Sequence, residues 1–512
     1  MALVVALAPL EAIRGMTSND GLRRLIGHGL AWSSVSSLVL RLGSFAVGIV
    51  LARLLAPEEF GVFAVALTVQ AVVMTLADLG MSTDLIRSDD PGRKAPTVAS
   101  LGLASGALLA ITMALSSQGI AELLGSPAAG PVISVMAFSL LLAGAGVVPY
   151  ASLQRQFAQK KLFGIAAADF GISTLLTVLL VLAGWGVMGL AVARLVSQSA
   201  TLVLQFALSG ERVRFGFDKS VAPAVLSYGL PVAGANMLSW ALLNVDNVVI
   251  SRLAGPVALG FYFLAFNVSN WPMSALGQVV RSISIPTFAR LAAGRSDRSL
   301  AAVLGPVWAV CLLAGLLLAV LSRPVIELVY GARWLPSAAV LAWLGIFGSL
   351  RTLFDLAASY LLARGASTPT LLVQLVWIVG LVPAVLLGVA TGDIAGAAAA
   401  HLIVAAFLVC PAYAVALHRC GADIRAVLAR LWPPILAASA AGAAAAAVVA
   451  VAPGPLAGLL AGGVIGSIIY ALLLARWFVR QIHGLRQWMP AHEAARELDA
   501  VTTRTTIPGG TS

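Results

Sequence analysis

Charged residues are scarce in this sequence of 512 residues, and their scarcity decides the class of protein. Asp, Glu, Lys and Arg together make up 10% of the chain, whereas a soluble domain carries about 25% charged residues. Hydrophobic residues make up 60%. A water-soluble surface cannot be built from this composition, so we expect lipid to surround most of the chain.

The residues that serve enzymes, pumps and metal sites are also missing. The three cysteines lie in or beside apolar runs and suggest neither a disulfide framework nor a metal spacing. The five histidines are scattered, and no pair has the spacing of metal ligands. No GxxxxGK[ST] phosphate-binding loop occurs. The longest outer loops are short and carry few of the acidic or basic groups that catalysis requires. We therefore expect no enzyme, no metal site and no resident cofactor, which leaves a secondary transporter.

Long apolar runs are what the sequence has instead. About fourteen runs of about 20 residues, each long enough to cross a membrane, recur from Gly29 to Trp477. The loops between them alternate between basic and nearly uncharged, and those on one side, with both terminal segments, hold 25 of the 32 Lys and Arg residues. Basic loops remain cytoplasmic. The net charge of +11 is thus a topology signal that places both termini in the cytoplasm, and nucleic acid is not an expected partner.

One stretch of sequence occurs twice, as ARLLAPEEFGVF and as SRLAGPVALGFY, at an offset of 199 residues. The matched residues include Arg53 and Arg252, Pro57 and Pro256, and Gly61 and Gly260. The offset contains six spans, an even number, so both copies enter the membrane in the same direction and form a parallel repeat. We interpret the motif as structural, because proline can begin a helix and glycine permits close packing.

The repeat and the charge pattern predict an all-α membrane protein of two six-helix lobes and a C-terminal helix hairpin. The predicted segments are a cytoplasmic N-terminal segment (1–28), an N-lobe (29–208), a basic cytoplasmic linker (209–221), a C-lobe (222–418), a hairpin (430–478) and a cytoplasmic, partly disordered tail (479–512).

Two longer stretches around these motifs resemble a known family. GLAWSSVSSLVLRLGSFAVGIVLARLLAPEEFGVFAVALTVQAVVMTLADLGMSTDLIR resembles the opening of the bacterial polysaccharide transporters, the O-antigen-type flippases, and YGLPVAGANMLSWALLNVDNVVISRLAGPVALGFYFLAFNV resembles the start of their second lobe. The superfamily of these exporters also holds multidrug antiporters and the lipid II flippase. The likeness runs from about Gly29 to Phe478.

The resemblance implies a function. Such proteins move an undecaprenyl-diphosphate-linked oligosaccharide from the inner to the outer leaflet of the inner membrane, by alternating access between two lobes. The lipid-linked oligosaccharide and membrane lipid are then the expected partners, and polysaccharide polymerase machinery is a further candidate. Transport could be coupled to the movement of a proton or of Na⁺.

Arginines inside the spans are candidates to bind the diphosphate, because a guanidinium is always ionised and matches phosphate oxygens. A mid-span charge costs about 2.5–3.5 kcal/mol on insertion scales, so it should face a partner or a water-filled cavity. Arg41 lies mid-span in helix 1, which lines the inter-lobe cavity in the family it resembles; pairing with Asp78 is the alternative. Arg351 and Asp355, four residues apart, share a helix face, where they neutralise each other or serve binding or gating.

A third arginine, Arg194, sits beside Ser197, Gln198 and Ser199, which form a polar stripe on an apolar helix. This stripe lines the substrate path, or it holds neighbouring helices together.

Acidic residues inside the spans are candidates for ion coupling or gating. Asp246 is flanked by Asn244 and Asn247 and could take a proton or Na⁺, with the amides as helpers; an interfacial cap near Arg252 is the alternative. Further candidates with weaker surroundings are Asp78 and Asp169.

Other polar residues have positional roles. Asn267 and Asn270 are expected to hydrogen-bond across the cavity or to fix a helix break before Pro272. Four tryptophans fall at span ends and are expected to anchor at the headgroup level, namely Trp185, Trp334, Trp432 and Trp477.

Three other functions compete with the flippase. A multidrug antiporter of the same superfamily would favour a cavity lined by carboxylates, which the arginines disfavour. A lipid II flippase differs only in cargo. A scaffold that recruits a polymerase or a glycosyltransferase would tolerate the loss of charge at Arg41 and Arg194.

Overall fold

The computed structural model describes residues 43–210, 214–291 and 299–488, which form helices joined by short turns. The helices of the first half are α1 (Gly43–Leu54), α2 (Pro57–Asp78), α3 (Met81–Arg87), α4 (Pro91–Leu115), α5 (Ser117–Leu123), α6 (Gly130–Arg155), α7 (Gln159–Leu182) and α8 (Gly186–Ser209). Those of the second half are α9 (222–254), α10 (256–291), α11 (Ser299–Val320), α12 (Pro336–Ala363), α13 (367–391), α14 (394–419), α15 (Ile424–Val451) and α16 (Pro455–Trp488).

Two long helical stretches are divided by residues with non-helical backbone. Gly255, with φ 83° and ψ 175°, separates α9 from α10, a conformation that only glycine adopts readily. Gly392 and Asp393 separate α13 from α14. The expected break before Pro272 is wrong, because α10 continues through this residue. Pro272 has no backbone N–H, but membrane helices tolerate such a proline because neighbouring groups satisfy the carbonyl that is left without a donor.

Most of the expected membrane helices lie within the described residues. Eleven helical stretches are long and apolar enough to cross a membrane, and one of them, Ser367–Arg419, is 53 residues long. The two divisions above separate these stretches into thirteen helices, and α1, with twelve described residues, is a shorter apolar helix. The chain is therefore a multi-pass membrane protein.

The helices cluster into two compact units. Within the described residues, unit 1 comprises residues up to 55, 65–123 and 127–240, and unit 2 comprises 56–64, 124–126 and the residues from 241 onward. Most of α2 thus belongs to unit 1 and its first two turns belong to unit 2.

In unit 1, α4 and α6 pack backbone against backbone. A Cβ on Gly144 would overlap the carbonyl oxygen of Gly102, and a Cβ on Gly106 would lie 2.6 Å from the carbonyl oxygen of Leu140. Small residues spaced four apart allow this close approach between membrane helices.

The segment before α9, within the predicted basic linker, is held against α4. The backbone N–H of Asp218 donates to Oγ1 of Thr97 at 3.0 Å. Ser220 donates to the Asp218 carboxylate through its hydroxyl at 2.6 Å and its backbone N–H at 2.8 Å. These two hydrogen bonds, and then the charge of Arg93 at 3.5 Å, hold the pKa of the Asp218 carboxyl below its usual value. The linker is therefore fixed to unit 1 at this end.

In unit 2, the two copies of the repeated motif pack against each other. A Cβ on Gly61 would overlap the carbonyl oxygen of Pro256, and a Cβ on Gly260 would overlap the carbonyl oxygen of Pro57. The contact is reciprocal, with each glycine facing the proline carbonyl of the other copy. The repeat thus forms a symmetric helix crossing, and the prediction that its glycines permit close packing is confirmed.

Trp334 corrects one expectation about the span ends. Its side chain is 0% exposed, and its ring lies edge-on to Phe60 and Phe261 with centroids 5.4 and 5.8 Å away. The short helical turns between α11 and α12 fold it into the interior of unit 2, so the headgroup anchor expected there is wrong. By contrast, Trp185 and Trp432 are more than half exposed.

The C-terminal hairpin of α15 and α16 packs on α11 within unit 2. Trp308 donates its indole N–H to the Leu431 carbonyl at 3.1 Å, and Tyr470 donates its hydroxyl to the Ala309 carbonyl at 2.8 Å. Within a membrane the hydrophobic effect does not drive helices together, so hydrogen bonds between helices contribute to their association. The hairpin is thus anchored to the bundle.

Candidate functional site

A buried carboxylate lies at the centre of a polar cluster in unit 2. Asp246, on α9, is 1% exposed. Its Oδ2 accepts the hydroxyl of Tyr262 at 2.6 Å, and its Oδ1 accepts the backbone N–H of Asn247 at 2.9 Å. Nε2 of His401, on α14, lies 3.2 Å from the same Oδ2. One carboxylate oxygen therefore faces both a phenol and an imidazole in the interior of the helix bundle.

The helix breaks bring these residues together. Asp246 lies nine residues before Gly255 and Tyr262 lies seven residues after it. At 1.5 Å per residue, both are about 10–14 Å from the turn, so the two helices bring them to the same depth. His401 lies eight residues after Asp393, on the helix that follows the second break.

His401 is the group that can compensate the charge of Asp246. The imidazole is buried and packs on the ring of Phe347, with centroids 5.0 Å apart. Nδ1 has no hydrogen-bond partner among the described residues, and Nε2 contacts Asp246 without the alignment of a hydrogen bond. A buried carboxylate is costly unless it is paired. When His401 is protonated the two charges compensate each other, and when it is neutral the Asp246 charge lacks that compensation.

Asp246 was a sequence candidate, but its partners differ from the expected ones. The side-chain amide of Asn247 donates to Oδ1 of Asn244 at 3.4 Å, so this amide is directed to its neighbour on the helix. Sequence reasoning missed Tyr262 and His401, although a single tyrosine and a single histidine inside apolar runs were the signals that could have found them.

Unit 1 contains a polar-lined cavity of about 350 Å³. Its walls come from α2, α3, α6 and α8. The polar lining residues are Ser82, Ser139, Tyr150, Gln198, Thr201 and Gln205, and the remaining lining is apolar or glycine. The cavity falls within the size range of small-molecule sites, about 300–1,000 Å³.

The polar stripe on α8 differs from the one expected around Arg194. The hydroxyls of Ser197 and Ser199 donate to carbonyls of their own helix, at 3.0 and 2.9 Å. Of the expected residues, Gln198 does share the face of Arg194, together with Thr201 and Gln205, which follow at helical spacing. This run, from Arg194 to Gln205, is called the α8 stripe below.

Two atoms of the α8 stripe are buried without compensation. Nε of Arg194 and Oε1 of Gln198 have no hydrogen-bond partner among the described residues. Thr201 is engaged, since its hydroxyl donates to Asp169 on α7 at 3.1 Å. Asp169 thus lies directly behind the cavity wall.

The remaining candidates are dispersed. A guanidinium nitrogen of Arg351 lies 3.5 Å from Oδ1 of Asn270, and both line a void of about 20 Å³ in unit 2. Asn267 is exposed, and its amide donates to the Phe263 carbonyl of its own helix at 2.8 Å. Asp355 is half-buried on α12.

Two candidates cannot be placed. Arg41 lies outside the described residues. Asp78 is the last residue of α2, and its side chain also lies outside them.

Comparison with known proteins shows which family this chain resembles. A family described as polysaccharide biosynthesis protein matches residues 50–339. The chain is 26% identical to the succinoglycan biosynthesis transport protein ExoT of Rhizobium meliloti (strain 1021), over 64% of this chain and 67% of that protein. It is 25% identical to the lipopolysaccharide biosynthesis protein WzxC of Escherichia coli (strain K12), over 73% of this chain and 77% of that protein.

Among solved structures, the chain resembles the lipid II flippase MurJ in an inward closed conformation. The TM-score is 0.71 at 14% identity, over 88% of this chain and 100% of that chain. At this identity the likeness concerns the fold, and it agrees with the all-α fold expected from the sequence. Because the family match covers more than half of the sequence, the chain belongs to the polysaccharide biosynthesis protein family.

Proposed function

We propose that this protein translocates an undecaprenyl-diphosphate-linked oligosaccharide from the cytoplasmic to the outer leaflet of the inner membrane. Both termini are cytoplasmic, and no covalent bond is made or broken. Membership of the family and relatives named for succinoglycan transport and lipopolysaccharide biosynthesis support this cargo. The basic loops support the orientation.

The observation that carries the proposal is the position of Arg194, a half-buried arginine inside a membrane helix. Its Nε is buried within a membrane helix and has no hydrogen-bond partner among the described residues. Such a cation is expensive in a membrane unless a ligand or a cavity compensates it. A diphosphate supplies the matching oxygens. In this proposal Arg194 binds the diphosphate together with Arg41. Arg351, whose guanidinium contacts Asn270, is a further candidate ligand.

The experiment uses cells that lack the gene, complemented with variants. Arg194→Gln should lower surface polysaccharide and raise the amount of lipid-linked oligosaccharide trapped in the membrane. Arg252→Gln is the matched control, because Arg252 is exposed and belongs to the structural motif; it should restore the wild-type level. Normal surface polysaccharide with no accumulation in the deletion strain, once paralogues are removed, would contradict the proposal and favour a small-molecule antiporter.

The complementation experiment also tests the scaffold and the lipid II flippase. A scaffold for polymerase machinery would tolerate Arg194→Gln. A lipid II flippase would restore growth to cells depleted of their own lipid II flippase, which a carrier of a different glycan would not do.

Coupling is proposed to use a proton held by Asp246 and His401. The support is geometric: Oδ2 of Asp246 already faces a hydroxyl donor and an imidazole, groups that exchange protons, whereas Na⁺ prefers oxygen ligands. Transport into vesicles should therefore follow an imposed proton gradient and be lost in Asp246→Asn. Transport driven by a Na⁺ gradient at constant pH would contradict this assignment.

A further inference from the structure

The cavity of unit 1 differs from the other described void in size and in chemistry. The void beside Arg351 and Asn270, of about 20 Å³, has room for a single water. The unit 1 cavity of about 350 Å³ can hold a ligand fragment. A cavity of this size inside a membrane bundle, lined partly by polar groups, calls for a polar occupant.

The polar residues that the structure describes in the cavity lining are uncharged. They are the hydroxyl residues Ser82, Ser139, Thr201 and Tyr150 and the carboxamides of Gln198 and Gln205, and no Asp, Glu, Lys or Arg is among the described lining residues. The hydroxyls of Ser139 and Thr201 already donate within the protein, to the Met136 carbonyl and to Asp169, so the carboxamides are the main groups for a ligand. The nearby carboxylate of Asp169 is not part of the lining and accepts the hydroxyl of Thr201. An organic cation would require a carboxylate and a diphosphate would require a cation. Neither kind of ligand finds its counter-charge in this lining.

The two glutamines are placed to receive a ligand. Gln198 and Gln205 are seven residues apart on α8, so they face the same way two turns apart. Oε1 of Gln198 is buried without a hydrogen-bond partner among the described residues. Gly146 makes room for the second glutamine, since a Cβ there would lie 2.8 Å from Oε1 of Gln205. A carboxamide carries two donors and an acceptor, which suits a ligand whose hydroxyls both donate and accept.

We infer that this cavity binds an uncharged sugar unit of the translocated glycan, through the carboxamides of Gln198 and Gln205 and the ring and hydroxyl of Tyr150. This inference rests on the proposed function and names a part of the substrate. Hydroxyl-rich sugars pair with neutral donors and acceptors, and an aromatic ring packs on the apolar face of a pyranose. The α8 stripe then presents a cation at Arg194 and sugar-binding carboxamides up to about 16 Å further along the helix.

The test measures binding of two probes to the purified full-length protein in nanodiscs. One probe is undecaprenyl diphosphate, and the other is the lipid-linked oligosaccharide extracted from cells that lack the gene. Gln198→Met and Gln205→Met keep side-chain length and remove the hydrogen bonds. Each should weaken binding of the glycan-bearing lipid by roughly tenfold and leave binding of undecaprenyl diphosphate unchanged. Retained binding of undecaprenyl diphosphate also shows that the variants are folded.

Controls separate this inference from the function on which it rests. Gln374→Met changes a glutamine of α13 in unit 2, outside the cavity lining, and should bind both probes as the wild type does. Arg194→Gln should weaken both probes. If the wild type binds neither probe, the proposed function and this inference both fail. If Arg194→Gln weakens both probes while both glutamine variants match the wild type, or weaken the two probes equally, the sugar site alone is overturned.

Discussion

Replacing His401 by Phe should destabilise the protein through the charge that it leaves behind. Phenylalanine keeps a ring against Phe347, so packing changes little, but the imidazole 3.2 Å from Asp246 is lost. Among the described residues, the carboxylate, 1% exposed, then retains two neutral donors, the Tyr262 hydroxyl and the Asn247 N–H. With His401 protonated, the substitution removes one partner of a buried ion pair, which costs about 3–5 kcal/mol.

A second substitution distinguishes lost charge compensation from lost packing. Asp246→Asn removes the charge and keeps an oxygen that can accept the Tyr262 hydroxyl. In the His401→Phe background it should therefore recover a large part of the lost stability, which makes the two effects strongly non-additive. His418→Phe, an exposed histidine of the same helix, is the matched control and should change stability by less than about 0.5 kcal/mol.

The assay is unfolding of the purified protein in mixed micelles by titration with a denaturing detergent, with all variants measured at the same pH. The double variant should unfold at a higher detergent fraction than His401→Phe alone. A double variant whose destabilisation equals the sum of the two single effects would refute the compensation between Asp246 and His401.

Two further predictions concern packing in unit 2. Gly61→Ala should destabilise the protein by about 1–3 kcal/mol, because the new methyl group overlaps the backbone carbonyl of Pro256, whereas Gly48→Ala, with no neighbour within 4 Å of its Cβ, should be neutral or slightly stabilising. Equal unfolding midpoints for these two variants would contradict the crossing. Trp334→Ala should cost about 3–5 kcal/mol and Trp432→Ala much less, as measured by thermal unfolding in the same detergent, since only Trp334 is fully buried.

The sequence predicts the fold well because its signals are local and repeated. A membrane helix is defined by the hydropathy of about 20 consecutive residues, so about fourteen spans could be predicted without any knowledge of their contacts. The repeat likewise predicted close packing at Gly61 and Gly260, since the same motif recurs at the same place in each copy. It did not reveal that these two glycines meet each other, because a repeat does not specify which surfaces pair.

The site was harder to predict because it depends on contacts between distant residues. Asp246 stands out in an apolar run, but His401 is 155 positions away and reaches it only through the packing of α14. Serine, by contrast, looked polar in sequence and proved to be self-satisfied: the hydroxyls of Ser197 and Ser199 bond to their own helix, as short hydroxyl side chains commonly do. The longer Gln205 reaches the cavity wall instead.

Transport itself is the most direct measurement of the central claim. The purified protein is reconstituted into vesicles that carry the extracted lipid-linked oligosaccharide, and the glycan exposed on each leaflet is measured over time with a membrane-impermeant glycan-oxidising enzyme. Wild-type protein should move the glycan-bearing lipid between leaflets, and Arg194→Gln should abolish most of that movement while remaining folded. Movement equal to that in protein-free vesicles, with the wild type folded and a proton gradient imposed, would contradict the account.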